Sequence, residues 1–152
     1  MRDYTKIGAW KLADDLTVMV YERTRSFPKE EVYGLTSQLR RASYSVAANI
    51  VEGSSRESKR DYLHFLYIAR GSLEETLSHI VYAQKVGYIS EALFKSLALE
   101  GENVNRLING YIGFLKKSKQ GANEPGANYS IREDTADYNI EDDSISSESN
   151  IE

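Results

Sequence analysis

Apolar residues recur at three- and four-residue intervals along four stretches of this chain, and no stretch shows sustained strand alternation. The pattern predicts an all-α protein. The first helix covers about residues 7–25, with Ala9, Leu12, Ala13, Leu16 and Val20 on one side and Lys11, Asp15 and Glu22 opposite. Ser26-Phe27-Pro28 closes it, because proline donates no helical hydrogen bond and restricts the residue before it.

The second helix covers about residues 35–51 and separates three surfaces at roughly 100° per residue. Leu35, Leu39, Ala42, Val46, Ile50 and Gly53 form the core stripe. Gln38, Arg41, Ser45, Asn49 and Glu52 form a polar arc, read as a hydrogen-bonded network at a helix or subunit boundary, with Arg41 and Glu52 expected to pair between subunits. Tyr44, Ala47, Ala48 and Val51, with Arg40 among them, form a third arc. A helix on the outside of a small monomer needs only one apolar stripe, so this third arc predicts contact with another copy. Gly53-Ser54-Ser55 reads as the helix end, since glycine favours the left-handed exit.

Ser58 caps the third helix and Asp61 sits in its first turn, where negative charge suits the helix dipole. Its broad core face contains Tyr62, Phe65, Leu66, Ala69, Leu73, Thr76, Leu77, Ile80 and Ala83, and Gly87 follows its end. The fourth helix begins near Ser90 and carries Leu93, Phe94, Leu97, Val104, Leu107, Ile108, Tyr111, Ile112 and Leu115 as far as Lys119. Gly71, Gly101, Gly110 and Gly113 lie inside helices, where each costs about 1 kcal/mol relative to alanine, so they are read as points of close helix approach. Short connections favour antiparallel neighbours. The expected architecture is an antiparallel up-and-down four-helix bundle over residues 1–119.

Helical periodicity stops at Gln120, and the remaining segment, 120–152, carries nine acidic residues against Arg132 alone, a balance of −8. High charge and scattered apolar residues predict a disordered acidic tail. The other 18 Lys and Arg and 14 Asp and Glu leave the bundle domain at +4, so the overall −4 hides a basic body. The acidic segment is expected to occupy the basic surface and compete with phosphate for it.

The 152 residues suit one compact domain, and 41% hydrophobic with 28% charged residues is ordinary for a globular protein. No run approaches the roughly 18–20 apolar residues of a membrane span. Asp3, Asp14 and Asp15 interrupt any export signal, so a cytoplasmic location is expected. With no cysteine, thiolate chemistry is excluded. His64 and His79 are the only histidines, and both fall away from the core face of the third helix. Asp61-x-x-His64 and Glu75-x-x-x-His79 do not supply the inward carboxylates of a bundle di-metal centre. No nucleophile elbow, phosphate loop or dinucleotide fingerprint occurs. Neither a catalytic residue, a metal site nor a cofactor is expected.

Phe27-Pro28, Tyr33-Gly34-Leu35-Thr36, Gln38-Leu39-Arg40-Arg41-Ala42, Asn49-Ile50-Val51-Glu52-Gly53 and Ile68-Ala69-Arg70-Gly71-Ser72 resemble a known family. It is the S23 family, the four-helix-bundle proteins encoded in intervening sequences of bacterial 23S ribosomal RNA genes. The likeness runs over about residues 5–118 and is similar also to the accessory variability determinant proteins of diversity-generating retroelements. Those form pentameric barrels and bind nucleic acid and a reverse transcriptase. The resemblance implies the bundle fold and a homopentamer.

Four basic clusters stand near helix ends: Arg23 with Arg25, Arg40 with Arg41, Arg56 with Lys59 and Arg60, and Lys116 with Lys117 and Lys119. Cyclic symmetry would turn each into a ring, and phosphate binding scales with the charges neutralised. The expected nucleic-acid contacts are Arg40, Arg41, Arg56, Lys59, Arg60, Lys116 and Lys117. The expected oligomer interface is Tyr44, Ala47, Ala48, Asn49, Val51 and Glu52. The leading expectation is therefore a non-enzymatic homo-oligomer, a pentamer, that binds RNA or DNA, or a nucleic-acid enzyme such as a reverse transcriptase, with weak sequence preference. The alternative is an assembly scaffold whose Tyr44, Tyr67 and Tyr82 recognise a protein partner.

Overall fold

The computed structural model describes residues 2–118, so the expected tail over 120–152 lies outside the described residues. Helix α1 spans Gly8–Thr24, α2 Leu35–Ser54, α3 Lys59–Lys85 and α4 Glu91–Lys117, with short 3-10 turns at Tyr4–Lys6 and Lys29–Glu31. No strand occurs among the described residues. The helix ends follow local chemistry. Ser58 accepts the Asp61 amide at 3.0 Å and Ser90 accepts the Leu93 amide at 3.1 Å, each satisfying a first-turn donor. At α2 the cap comes from outside the helix, where the Leu35 amide donates to Glu31 Oε2 at 2.7 Å. Gly87, at φ +82°, ends α3 in the left-handed region, and the Tyr88 amide returns to the Ala83 carbonyl at 2.8 Å.

Each helix packs on its sequence neighbour, and α1 also meets α4, which closes a four-helix ring. The registers are antiparallel. Thr17 on α1 donates to the Ser43 carbonyl of α2 at 3.0 Å, while Thr24, further along α1, accepts from Arg40, earlier on α2. Ser45 meets Ser72 at 2.9 Å across α2 and α3, and Arg41 pairs with Glu75 in the same descending order. The enclosed core holds Leu16, Val20, Val46, Ile50, Tyr62, Leu66, Leu73, Ile80, Val104 and Ile108 out of solvent. Each aliphatic among them contributes about 1.5–3 kcal/mol by leaving water.

Helix α2 departs from its expected pattern in two ways. Its buried side is wider than the Leu39–Ala42–Val46–Ile50 stripe, because Ser43, Ala47 and Ser54 are also buried. Small side chains there admit α1, whose Thr17 hydroxyl bridges its own Ala13 carbonyl and that of Ser43. Gly53, expected as the exit, stays helical and buried. A Cβ there would stand 2.8 Å from Tyr62 Cδ2 and 3.0 Å from Phe65 Cβ, so its role is the close approach of α3. Of the glycines expected at helix contacts, Gly101 is pressed against Leu77, whereas Gly71 and Gly113 face open space.

Candidate nucleic-acid interface

The fold divides the seven expected nucleic-acid residues between opposite ends of the bundle. Arg40 and Arg41 lie near the α1–α2 connection, while Arg56, Lys59, Arg60, Lys116 and Lys117 gather where α3 starts and α4 finishes. The 13 helical steps from Arg41 to Ser54 along α2 separate the two groups by about 20 Å. At the second end Lys59 Nζ donates to the Ser118 carbonyl at 2.9 Å, fastening the α3 start to the α4 finish. Arg60, Lys116 and Lys117 are exposed.

Several of these cations rest on aromatic rings. Arg56 lies 4.7 Å from the Phe65 ring and pairs with Glu52. On the outer side of α3, the Tyr67 ring has the Arg70 guanidinium at 5.1 Å and Lys116 Nζ at 5.6 Å. Arg70 is oriented further by Asn109 Oδ1 at 3.0 Å. Residues three and four apart on a helix share a face, which brings the Arg70 and Tyr67 side chains together. The expectation above named Tyr67 only as a protein-recognition surface and missed Arg70 and Phe65. The signal for them was the spacing of Phe65, Tyr67 and Arg70 within one helix.

The polar arc of α2 forms a seam with α3. Arg41 is held by Gln38 and Glu75, and His79 Nε2 stands 3.5 Å from the same Glu75 oxygen. Asn49 spends its amide on the Ser45 carbonyl and hydroxyl, at 2.7 and 3.0 Å. Within the chain Arg41 pairs with Glu75 and Glu52 with Arg56, so both residues of the expected pair between subunits already have an opposite charge beside them. Ala47, expected on the third arc, is buried in the protomer's own core, which leaves Tyr44, Ala48 and Val51 facing outward. Tyr44 is 63% exposed.

His64 is exposed with its ring edge-on to Phe65, and no three His, Asp or Glu side chains converge as metal ligands among the described residues. No helix among them is long and apolar enough to cross a membrane.

The architecture defines an up-and-down helical bundle with basic ends and a polar α2–α3 seam. The family model described as 23S rRNA-intervening sequence protein matches residues 5–110, and the chain belongs to that family. Among solved structures it is similar to a protein of unknown function from the S23 ribosomal protein family of Bacteroides thetaiotaomicron VPI-5482. The identity is 21%, the match covers 69% of this chain and 95% of that one, and the TM-score is 0.64. At that identity the likeness establishes the fold alone. No curated protein matches the chain.

Proposed function

We propose that this protein is a non-enzymatic homopentamer that binds nucleic acid through its backbone, with little sequence preference. The observation that carries this reading is the pairing of cations with rings at the α3–α4 end, Arg56 on Phe65 and both Arg70 and Lys116 on Tyr67, flanked by exposed Arg60 and Lys117. Cationic grooves with aromatic platforms suit single strands, because every base has a face to stack and every nucleotide a phosphate. No base-reading motif accompanies them, so phosphate contacts dominate. Self-association rests on the outward arc of Tyr44, Ala48 and Val51, and symmetry would repeat the basic end in every copy.

Single-stranded RNA and DNA of about 20 nucleotides should bind the full chain at low salt and be released as salt rises. Reversing two charges, Lys116→Glu with Lys117→Glu, should weaken binding at least tenfold and reduce the salt slope by about 1.4, at 0.7 per phosphate contact. Retention indifferent to salt and to both reversals defeats the proposal. Light scattering should give a mass of five times the 17.2 kDa chain, and Tyr44→Glu should lower it.

A second reading, a scaffold for a protein partner such as a nucleic-acid enzyme, is favoured by the exposure of Tyr44 and Tyr82. Exposed tyrosines are frequent anchors of protein interfaces. Loss of nucleic-acid binding with an intact oligomer would leave this reading standing.

A further inference from the structure

At the other end of the bundle, α1 hands over to α2 around a groove of about 470 Å³. Among the described residues its walls carry four cations, Arg25, Lys29, Arg40 and Arg41, and no carboxylate. We propose that this groove binds the phosphate of a nucleotide, whether a free mononucleotide or the phosphorylated end of a strand. It lies about 20 Å along α2 from the basic α3–α4 end and does not depend on the backbone-binding reading.

Arg40 is already positioned for the task. Its Nε donates to Thr24 Oγ1 at 2.8 Å, one terminal nitrogen reaches the Tyr21 carbonyl at 3.4 Å, and the guanidinium lies 4.7 Å from the Tyr21 ring. These contacts fix the plane of the group and leave the other terminal nitrogen for a ligand. Arg41 is spent in part on Glu75 and Gln38. Arg25 and Lys29 are exposed and make no ion pair among the described residues.

The first turn of α2 supplies a second kind of donor. Gly34 offers no side-chain cap, and only the Leu35 amide is taken up, by Glu31. The amides of Thr36 and Ser37 donate to nothing among the described residues, at the end of a 20-residue helix where the dipole favours an anion. The Thr36 hydroxyl is buried and has no hydrogen-bond partner, although Thr36 borders the groove. The Thr36 side chain must turn toward the groove for a phosphate oxygen to supply the acceptor that this hydroxyl lacks. Cations from α2 and from the connection that precedes it meet these donors at one groove, which suits the dianion of a phosphomonoester better than the single charge of a diester. Phe27, Pro28 and Val32 give the groove an apolar side for a sugar or base, and its volume falls in the range of small-ligand sites.

Calorimetry on the full chain with inorganic phosphate, adenosine 5′-monophosphate and adenosine provides the test. Phosphate and the monophosphate should bind one per chain and adenosine should not. Lys29→Glu, at an exposed position that donates no hydrogen bond, should weaken the monophosphate at least tenfold, and Thr36→Val should weaken it several-fold. An oligonucleotide with a 5′-phosphate that outcompetes its 5′-hydroxyl twin, with the difference lost in Lys29→Glu, assigns the site to strand ends. Equal binding of the twins assigns it to free nucleotides. Absence of monophosphate binding, or binding unchanged by both substitutions, overturns the proposal. Lys116→Glu with Lys117→Glu should leave monophosphate affinity intact, which separates failure here from failure of the backbone reading.

Discussion

Tyr62 concentrates the tension between burial and polarity at a single residue. The side chain is fully buried, edge-on to Tyr111 at 5.5 Å and with the Arg2 guanidinium 4.8 Å from its ring. By geometry its hydroxyl makes no hydrogen bond among the described residues, although the neighbouring Tyr111 phenol interacts with it and helps to hold it protonated. An unsatisfied buried donor costs about 1–3 kcal/mol, while the ring supplies the packing. Tyr62→Phe should therefore leave the Tm at pH 7 unchanged or raise it. Burial also pushes the phenol's pKa well above its ordinary range. A raised folded-state pKa contributes stability that is complete below the unfolded value of about 10 and is lost as pH rises beyond it, because the unfolded chain gives up its proton first. Urea unfolding at pH 8 and pH 11 should show a smaller loss between the two for Tyr62→Phe than for the natural chain. Tyr88, raised chiefly by its hydrogen bond to Glu31, acts in the same direction in both proteins and cancels in the comparison. A loss of more than about 1 kcal/mol at pH 7 would mean that the hydroxyl is satisfied after all.

Glycines show how an element's packing, and not its propensity, decides the effect of one methyl group. Gly53→Ala places a Cβ against Tyr62 and Phe65, on a ring that the core holds fast, so overpacking of about 1–3 kcal/mol should exceed the helical gain of about 1 kcal/mol. Gly113→Ala meets nothing within 4 Å and should stabilise α4 by up to about 1 kcal/mol. Thermal unfolding of the two variants should move in opposite directions. The same contrast explains what the chain made legible. Ser58, Ser90 and Pro28 announce helix boundaries through chemistry confined to a few neighbours, and those boundaries fall within a few residues of the observed ones. Gly53 carried the same local signal as an exit, yet its meaning is set by Tyr62 on another helix. Ala47 and Ser43 were equally ambiguous, since small residues suit a surface or a tight seam. The groove was less legible still. Arg40 and Arg41 stood out as cations, but the Tyr21, Thr24, Lys29 and Thr36 environment assembles only once α1 and α2 lie antiparallel.

At the scale of the whole molecule, charge is divided between a +4 body and a −8 segment over residues 120–152. That segment follows directly from α4, whose last turn carries Lys116 and Lys117 and whose end is fastened to Lys59. The acidic residues are thus joined in sequence to the basic end that the proposed strand would occupy. Covalent attachment can raise the effective concentration to order millimolar, enough for many weak charge contacts to compete with phosphate. Screening sets the range of such competition, since the Debye length shrinks from roughly 10 Å at 0.1 M salt to about 3 Å at 1 M. A chain ending at residue 119 should bind single-stranded nucleic acid more tightly than the full chain at about 50 mM salt. The advantage should shrink steadily as salt rises, because the internal competitor and the strand are screened alike. Equal affinities at low salt would show that the acidic segment does not reach the basic end. An advantage that persists undiminished at high salt would point to a steric block in place of an electrostatic one.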